Sequence, residues 1–133
     1  MKATSEYLSA IGGAHYAWAS MEWNIICILT KHDRVPVKDL AGLEFGKIIE
    51  RFAATVATHP GRSDVATAAE ALRLRRNDLA HARPAKIDGE EMLYRWDAKR
   101  GRIEPITHSW LKSFTSDVRE TGHAANHLLH ETT

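Results

Sequence analysis

The 133-residue chain has one cysteine, Cys27, and that alone excludes a disulfide framework within it. Cys27 lies in an apolar run and reads as a small buried hydrophobe of a reducing, cytoplasmic setting. Long hydrophobic runs are also missing. The longest, Ile25–Leu29, spans five residues against the ~20 that a membrane-crossing helix needs. Ala17-Trp18-Ala19 imitates a signal-peptidase site, but Glu6, His15 and Gly12-Gly13 interrupt the apolar core of such a leader. A dominant charge is lacking too: 18 Lys and Arg against 17 Asp and Glu leave +1. That balance excludes a histone-like basic protein and an acidic tail, so any nucleic-acid role must come from local placement. No internal repeat, low-complexity tract or carboxylate cluster suited to Mg²⁺ is present.

What remains is an ordinary globular composition, 44% hydrophobic and 26% charged, in a length that suits a single domain over 1–133. From Thr4 to Thr30, Tyr7, Ile11, Ala14, Trp18, Met21, Ile25 and Ile28 recur at alternating spacings of four and three, which predicts a helix. Tyr16 and Trp23 lie off that stripe, so the helix belongs inside a bundle or a dimer. A loop through Pro36 precedes a second helix over Leu43–Thr58, stopped by His59-Pro60-Gly61. A third runs from an N-cap at Ser63 to Ala82, closed by Pro84. The period then changes. Met92, Tyr94 and Trp96 alternate with Leu93, Arg95 and Asp97, Lys99-Arg100-Gly101 turns the chain, and Ile103–Thr107 returns as an edge strand because of Pro105. A fourth helix over Ser109–His130 places Leu111, Phe114, Val118, Thr121, Ala125 and Leu128 inward. The expected fold is mainly all-α: a four-helix up-and-down bundle with a small β-hairpin (about 91–107) between the third and fourth helices.

The chemistry concentrates in Arg76-Asn77-Asp78-Leu79-Ala80-His81. Arg76 falls on the apolar stripe of its helix between Leu72 and Leu79, where a cation is costly unless something requires it. Asn77 and His81 are an i,i+4 pair, so the amide can orient the imidazole. A guanidinium binds phosphate with a planar fork of donors, and an imidazole can exchange a proton with a ribose 2′-hydroxyl or a leaving oxygen. The same residues admit a plain structural role, with Arg76 paired to Glu22 or Glu50 and His81 capping its helix.

The pattern resembles the HEPN superfamily (higher eukaryotes and prokaryotes nucleotide-binding domains), whose signature is Arg, four to six residues, then His, often with Asn after the Arg. Arg76-Asn77 and His81 match the four-residue form, and the helical layout is similar along most of the chain. The resemblance implies a metal-independent endoribonuclease with no cofactor, acting on RNA as a homodimer in toxin, stress or antiphage defence. Arg76 and His81 of two protomers would share a composite site, Asn77 would position His81, and the product would carry a 2′,3′-cyclic phosphate. It also admits a non-catalytic module that dimerises and binds a nucleotide or a partner protein, such as an antitoxin or a nucleotidyltransferase. A subclass paired with such transferases has Tyr two residues after the His; here Arg83 stands there.

Arg73, Arg75 and Arg83 flank the motif and suit phosphates beside the scissile one, or else a solvated helix face. Glu22 and Asn24 are placed to hold Arg76 or His81 from behind, or simply to meet solvent. Tyr94 and Trp96 among Arg95, Lys99, Arg100 and Arg102 can stack bases or pack on a neighbour. His123, His127 and His130 have i, i+4, i+7 spacing on one helix face, but without a matching carboxylate or Cys no metal is expected. From Arg73 to Arg102 there are nine basic and five acidic residues, a balance of +4, and the remainder carries −3. The near-neutral total therefore conceals a modest basic zone over the motif and the hairpin.

Overall fold

The computed structural model describes residues 3–131 and is mainly helical. Four helices, α1 (Ser5–Lys31), α2 (Phe45–Ala53), α3 (Ser63–Ala80) and α4 (His108–His130), surround one core. Between α3 and α4 lies an antiparallel sheet of three strands in the order β1 (Arg83–Ile87), β2 (Glu90–Asp97) and β3 (Arg102–Pro105). No helix among the described residues is long and apolar enough to cross a membrane.

Local chemistry sets the ends of these elements. The Thr4 and Thr107 hydroxyls accept hydrogen bonds from the backbone of Tyr7 and Trp110, capping α1 and α4. The second helix is shorter than its apolar period suggests and stops at Ala53. Beyond it the Thr55 hydroxyl donates to the Phe52 carbonyl and Thr58 to that of Thr55, which draws the chain into tight turns. Ser63 is not an N-cap. A 3₁₀ turn, Pro60–Arg62, leads straight into α3 and leaves Arg62 in the cap position. Pro84 ends no helix either; it sits inside β1, paired with Leu93, on an edge strand where its missing N–H costs nothing. The expected two-stranded hairpin is therefore three strands. Its added turn is Asp88-Gly89, both at positive φ (52° and 80°), the combination that two-residue hairpin turns favour.

Helix direction departs from the expected strict alternation. At the start of α1 the Tyr7 hydroxyl donates to the Ile106 carbonyl (2.7 Å), just ahead of α4. Near its end Asn24 Nδ2 donates to Gly122 O (3.2 Å), and His32 Nε2 lies 2.8 Å from Leu129 O. So α1 and α4 run parallel. α3 opposes both, with Arg62 at its start meeting Asp33 beyond the end of α1 and Arg75 near its end meeting Asp117 of α4. The 32–44 segment, anchored by fully buried Leu40, carries the chain back so that α2 starts beside Trp18 and runs with α1.

The core joins Trp18, Met21, Ile25 and Ile28 of α1 to Ile48 and Phe52 of α2, Leu72 and Leu79 of α3, and Leu111, Phe114 and Val118 of α4. Burying each large side chain contributes about 1.5–3 kcal/mol. Leu129, not Leu128, is the buried residue at the end of α4, and Cys27 is only half-buried. Burial still pushes its thiol above the ordinary range.

One buried ion pair closes the α1–α3 end. Arg62 donates from Nη1 and Nη2 to the two Asp33 oxygens (2.7 and 2.9 Å) and from Nη1 to the Thr55 hydroxyl (2.9 Å). Its guanidinium also lies over the Phe52 ring. Arg62→Ala strands a carboxylate and should cost about 3–5 kcal/mol in denaturant unfolding. The Arg62 hydrogen bonds hold the Asp33 carboxyl below its ordinary range. Its stabilisation is therefore complete above the unfolded Asp value of about 3.9 and is lost as pH falls through the lower folded value. The melting temperature should drop below about pH 4 in the wild type and much less in Asp33→Asn.

Candidate functional site

The end of α3 meets the middle of α1 and the start of α2, and the three leave a cleft of about 580 Å³. Trp18 and Glu22 come from α1, Glu44 and Gly46 from the start of α2, and Arg73, Arg76, Asn77 and His81 from α3 and its cap. Leu72 and Leu79 anchor α3 in the core, and because Arg76 lies between them its stem is drawn inward while its head reaches the cleft. The guanidinium lies over the Trp18 indole, 5.8 Å from the ring centroid. Trp18 is held in turn by the Phe45 edge at 4.8 Å and by a stack with Phe114.

Arg76 differs from its neighbours in having no partner. Its Nε is buried without a hydrogen bond, and among the described residues no carboxylate forms an ion pair with it. The pairing with Glu22 or Glu50 that the sequence allows is absent; Glu50 instead bonds Lys47 (3.6 Å). Glu22 shares the cleft, and burial pushes its carboxyl above the ordinary range, an effect that the Arg76 charge and the Trp18 indole partly offset. The other cations of the basic zone are mostly neutralised. Arg73 pairs with Glu70, Arg75 with Asp117, Arg95 with Asp78, and Arg100 and Arg102 with Glu104.

The third helix ends at Ala80, two residues short of the expected Ala82, so His81 is its C-cap, with ψ near 0°, and stands exposed at the cleft rim. The expected side-chain bond from Asn77 is absent among the described residues. The contact runs through the backbone instead, His81 N–H donating to Asn77 O at 3.0 Å, because leaving the helix swings the ring away from the i,i+4 line. The structure thus gathers Arg76, Asn77, His81, Arg73 and Glu22, and separates three others. Asn24 bonds Gly122 across the α1–α4 seam. Arg75 turns towards α4, over Trp110 and Phe114. Arg83 stands exposed on β1.

Glu44 and Gly46 belong to the site without any motif to mark them. At Gly46 a Cβ would lie 3.4 Å from Arg73 Cδ, so the start of α2 passes close to the Arg73 side chain at the cleft edge. On the sheet, Trp96 is 63% exposed and pairs with exposed Ile103. Among the described residues no group of three His, Cys, Asp or Glu could hold a metal ion, the α4 histidines included.

Comparison with protein-family models, curated proteins and solved structures found no match in any of the three. The case for function accordingly rests on the cleft.

A carboxyl raised by burial stabilises the fold most below the unfolded Glu value of about 4.3 and progressively less as pH rises through its folded value. Glu22→Gln removes that slope. As pH rises above about 4 the variant's melting temperature should gain on the wild type's, which a series of thermal melts would measure.

Proposed function

We propose that the cleft binds an RNA phosphodiester and that the chain is a metal-independent endoribonuclease of the HEPN type, acting as a homodimer. The observation that carries this reading is the unpartnered Arg76 guanidinium, half-buried over Trp18 beside His81. A half-buried cation seated on an aromatic ring and free of any ion pair among the described residues is matched to an anionic ligand, and its forked donors suit the two non-bridging oxygens of a phosphate.

In this reading Arg76 holds the scissile phosphate and stabilises the charge that grows on it. His81 takes the proton of the ribose 2′-hydroxyl, or gives one to the departing 5′-oxygen, and its place on the rim suits a ring that must reach a bound strand. The 2′-oxygen forms the new bond to phosphorus as the bond to the 5′-oxygen breaks, leaving a 2′,3′-cyclic phosphate and a 5′-hydroxyl. Arg73, tied to Glu70 at the cleft edge, is the nearest candidate for a flanking phosphate. Binding of RNA or a nucleotide without cleavage is the second reading. The lack of a side-chain bond orienting the His81 ring favours it.

Incubating single-stranded RNA with the purified chain in EDTA separates the two. Cleavage should persist, with cyclic phosphate ends detectable by mass spectrometry. Arg76→Ala and His81→Ala should each lower the rate by about 10²–10⁴ with unchanged melting temperature. Arg76→Lys should not restore it, because an ammonium lacks the fork. Cleavage that survives His81→Ala would sink the mechanism. Binding that needs Arg76 in the absence of any cleavage would favour the second reading.

A further inference from the structure

The three-stranded sheet is built inside out. Cross-strand partners share a face, so the register sorts its paired side chains into two sets. One face carries Lys86, Glu91, Arg95, Asp97, Arg102 and Glu104. The other carries Ile87, Met92, Tyr94, Trp96, Ile103 and Pro105, with Arg83 and Glu90 as its only charges. An antiparallel sheet with one covered side ordinarily turns its apolar face to the core. Here the charged face is the covered one. Arg95 reaches Asp78 of α3 (3.6 Å), and the side chains of Arg95, Asp97 and Glu104 are only 24%, 15% and 20% exposed. On the apolar face Met92 packs at the margin of the core, but the Trp96–Ile103 pair stands open at 63% and 57%. An apolar surface held outward while charge is turned inward is the mark of a surface that something covers.

We infer that this face is a stacking platform for unpaired RNA bases beside the cleft, so that the substrate is a single strand. The platform's link to cleavage rests on the ribonuclease reading; the stacking surface itself does not. Tyr94 and Trp96 are its centre. They lie two residues apart on the middle strand, roughly 6.6 Å from each other along one face. The Tyr94 hydroxyl donates to the Glu90 carbonyl four residues back (3.2 Å), which lays its ring along β2 instead of letting it stand off the sheet. Aromatic rings set in sequence on a sheet surface hold successive bases, and they do so for any base because each has a π face.

Charge and size select this ligand. Arg83, opposite Tyr94, and Lys99, in the turn beyond Trp96, are exposed and form no ion pair among the described residues. Cations set around aromatic rings suit a strand that offers bases and phosphates in turn. The one carboxylate of the face, Glu90, lies at the far end beside the Asp88-Gly89 turn. The open part spans two strand spacings and about three residues, roughly 10 Å by 7 Å. That is well short of the ~800 Å² per partner of a stable protein interface, and it has room for two bases.

Position joins the platform to the cleft. His81 precedes Arg83 by two residues, and counting back along the β1–β2 register brings it level with Trp96. The Arg95–Asp78 pair holds this stretch of β2 against the last turn of α3. With strands ~4.8 Å apart, a chain whose phosphate lies on Arg76 reaches the two rings within a few nucleotides. A duplex offers them no free base face.

The test is binding without cleavage. A short single-stranded RNA methylated at every 2′-oxygen cannot be cut, because the attacking hydroxyl is blocked. Its affinity for the full chain, read by fluorescence anisotropy, should fall about 10–100-fold in Trp96→Ala and stay within about three-fold of wild type in Trp96→Phe, which keeps a ring. The same sequence as a duplex should bind at least about 10-fold more weakly than the single strand. Both variants should melt as the wild type does, since Trp96 is exposed. If Trp96→Ala binds as tightly as wild type, the platform is overturned, and loss of binding in Arg76→Ala would then leave the cleft reading in place. Binding that needs Trp96 but not Arg76 supports the platform and removes the cleft from RNA recognition. A wild type that binds no single strand overturns the platform. So does a Trp96-dependent self-association, or attachment to neutral phospholipid vesicles, in place of RNA binding.

Discussion

The parallel packing of α1 on α4 is the constraint on which the rest of the architecture depends. Two long helices that run the same way cannot be joined by a short turn, so the intervening chain must return along the bundle, and α3 makes that return. The sheet then occupies the end where α1 and α4 both begin. Tyr7 ties the three together there: its hydroxyl donates to the Ile106 carbonyl and accepts from Leu93 N–H (3.0 Å). Both bonds satisfy backbone groups close to the core, where an unpaired one would be costly. Because α3 runs against α1, its final turns pass the middle of α1, and the short α2, starting beside Trp18, completes the walls of the cleft.

Within that frame the charges are arranged with economy. Most arginines near the motif have a carboxylate of their own, and at exposed positions such pairs contribute little to stability. Arg76 has an aromatic face beneath it and shares its cleft with the Glu22 carboxyl, which burial raises and the Arg76 charge lowers. The cleft therefore holds a guanidinium that, among the described residues, no ion pair ties up. The +4 counted along Arg73–Arg102 overstates the field available to a ligand, because of the two guanidiniums at the cleft Arg73 is paired with Glu70 and only Arg76 is free of an ion pair among the described residues.

The helices were legible where apolar spacing was regular and the caps were simple. Tyr7 to Ile28 along α1 and Leu111 to Ala125 along α4 point inward as their period indicates, and Arg76 lies between two buried leucines. The misses have separate causes. Thr55 and Thr58 bond the preceding carbonyls and end α2 early, an effect periodicity does not register. β1 has too few apolar residues to announce a strand, although Asp88-Gly89 marks its turn. Arg75 and Asn24 share helices with site residues, yet side chains one or two positions away point to different neighbours.

The sequence by itself determined which residues prefer helix, which face of each helix is apolar, and that one arginine sits where a cation ought not to be. These are properties of local spacing, readable from a chain whose helical period is known. Only the tertiary structure decided that α1 and α4 run parallel, that His81 leaves its helix, and that Glu44 and Gly46 join Arg76 across a shared cleft. Those outcomes depend on contacts between residues far apart in the chain. Whether Arg76 finds a carboxylate is likewise decided by the packing of three helices, and no spacing along one of them contains it.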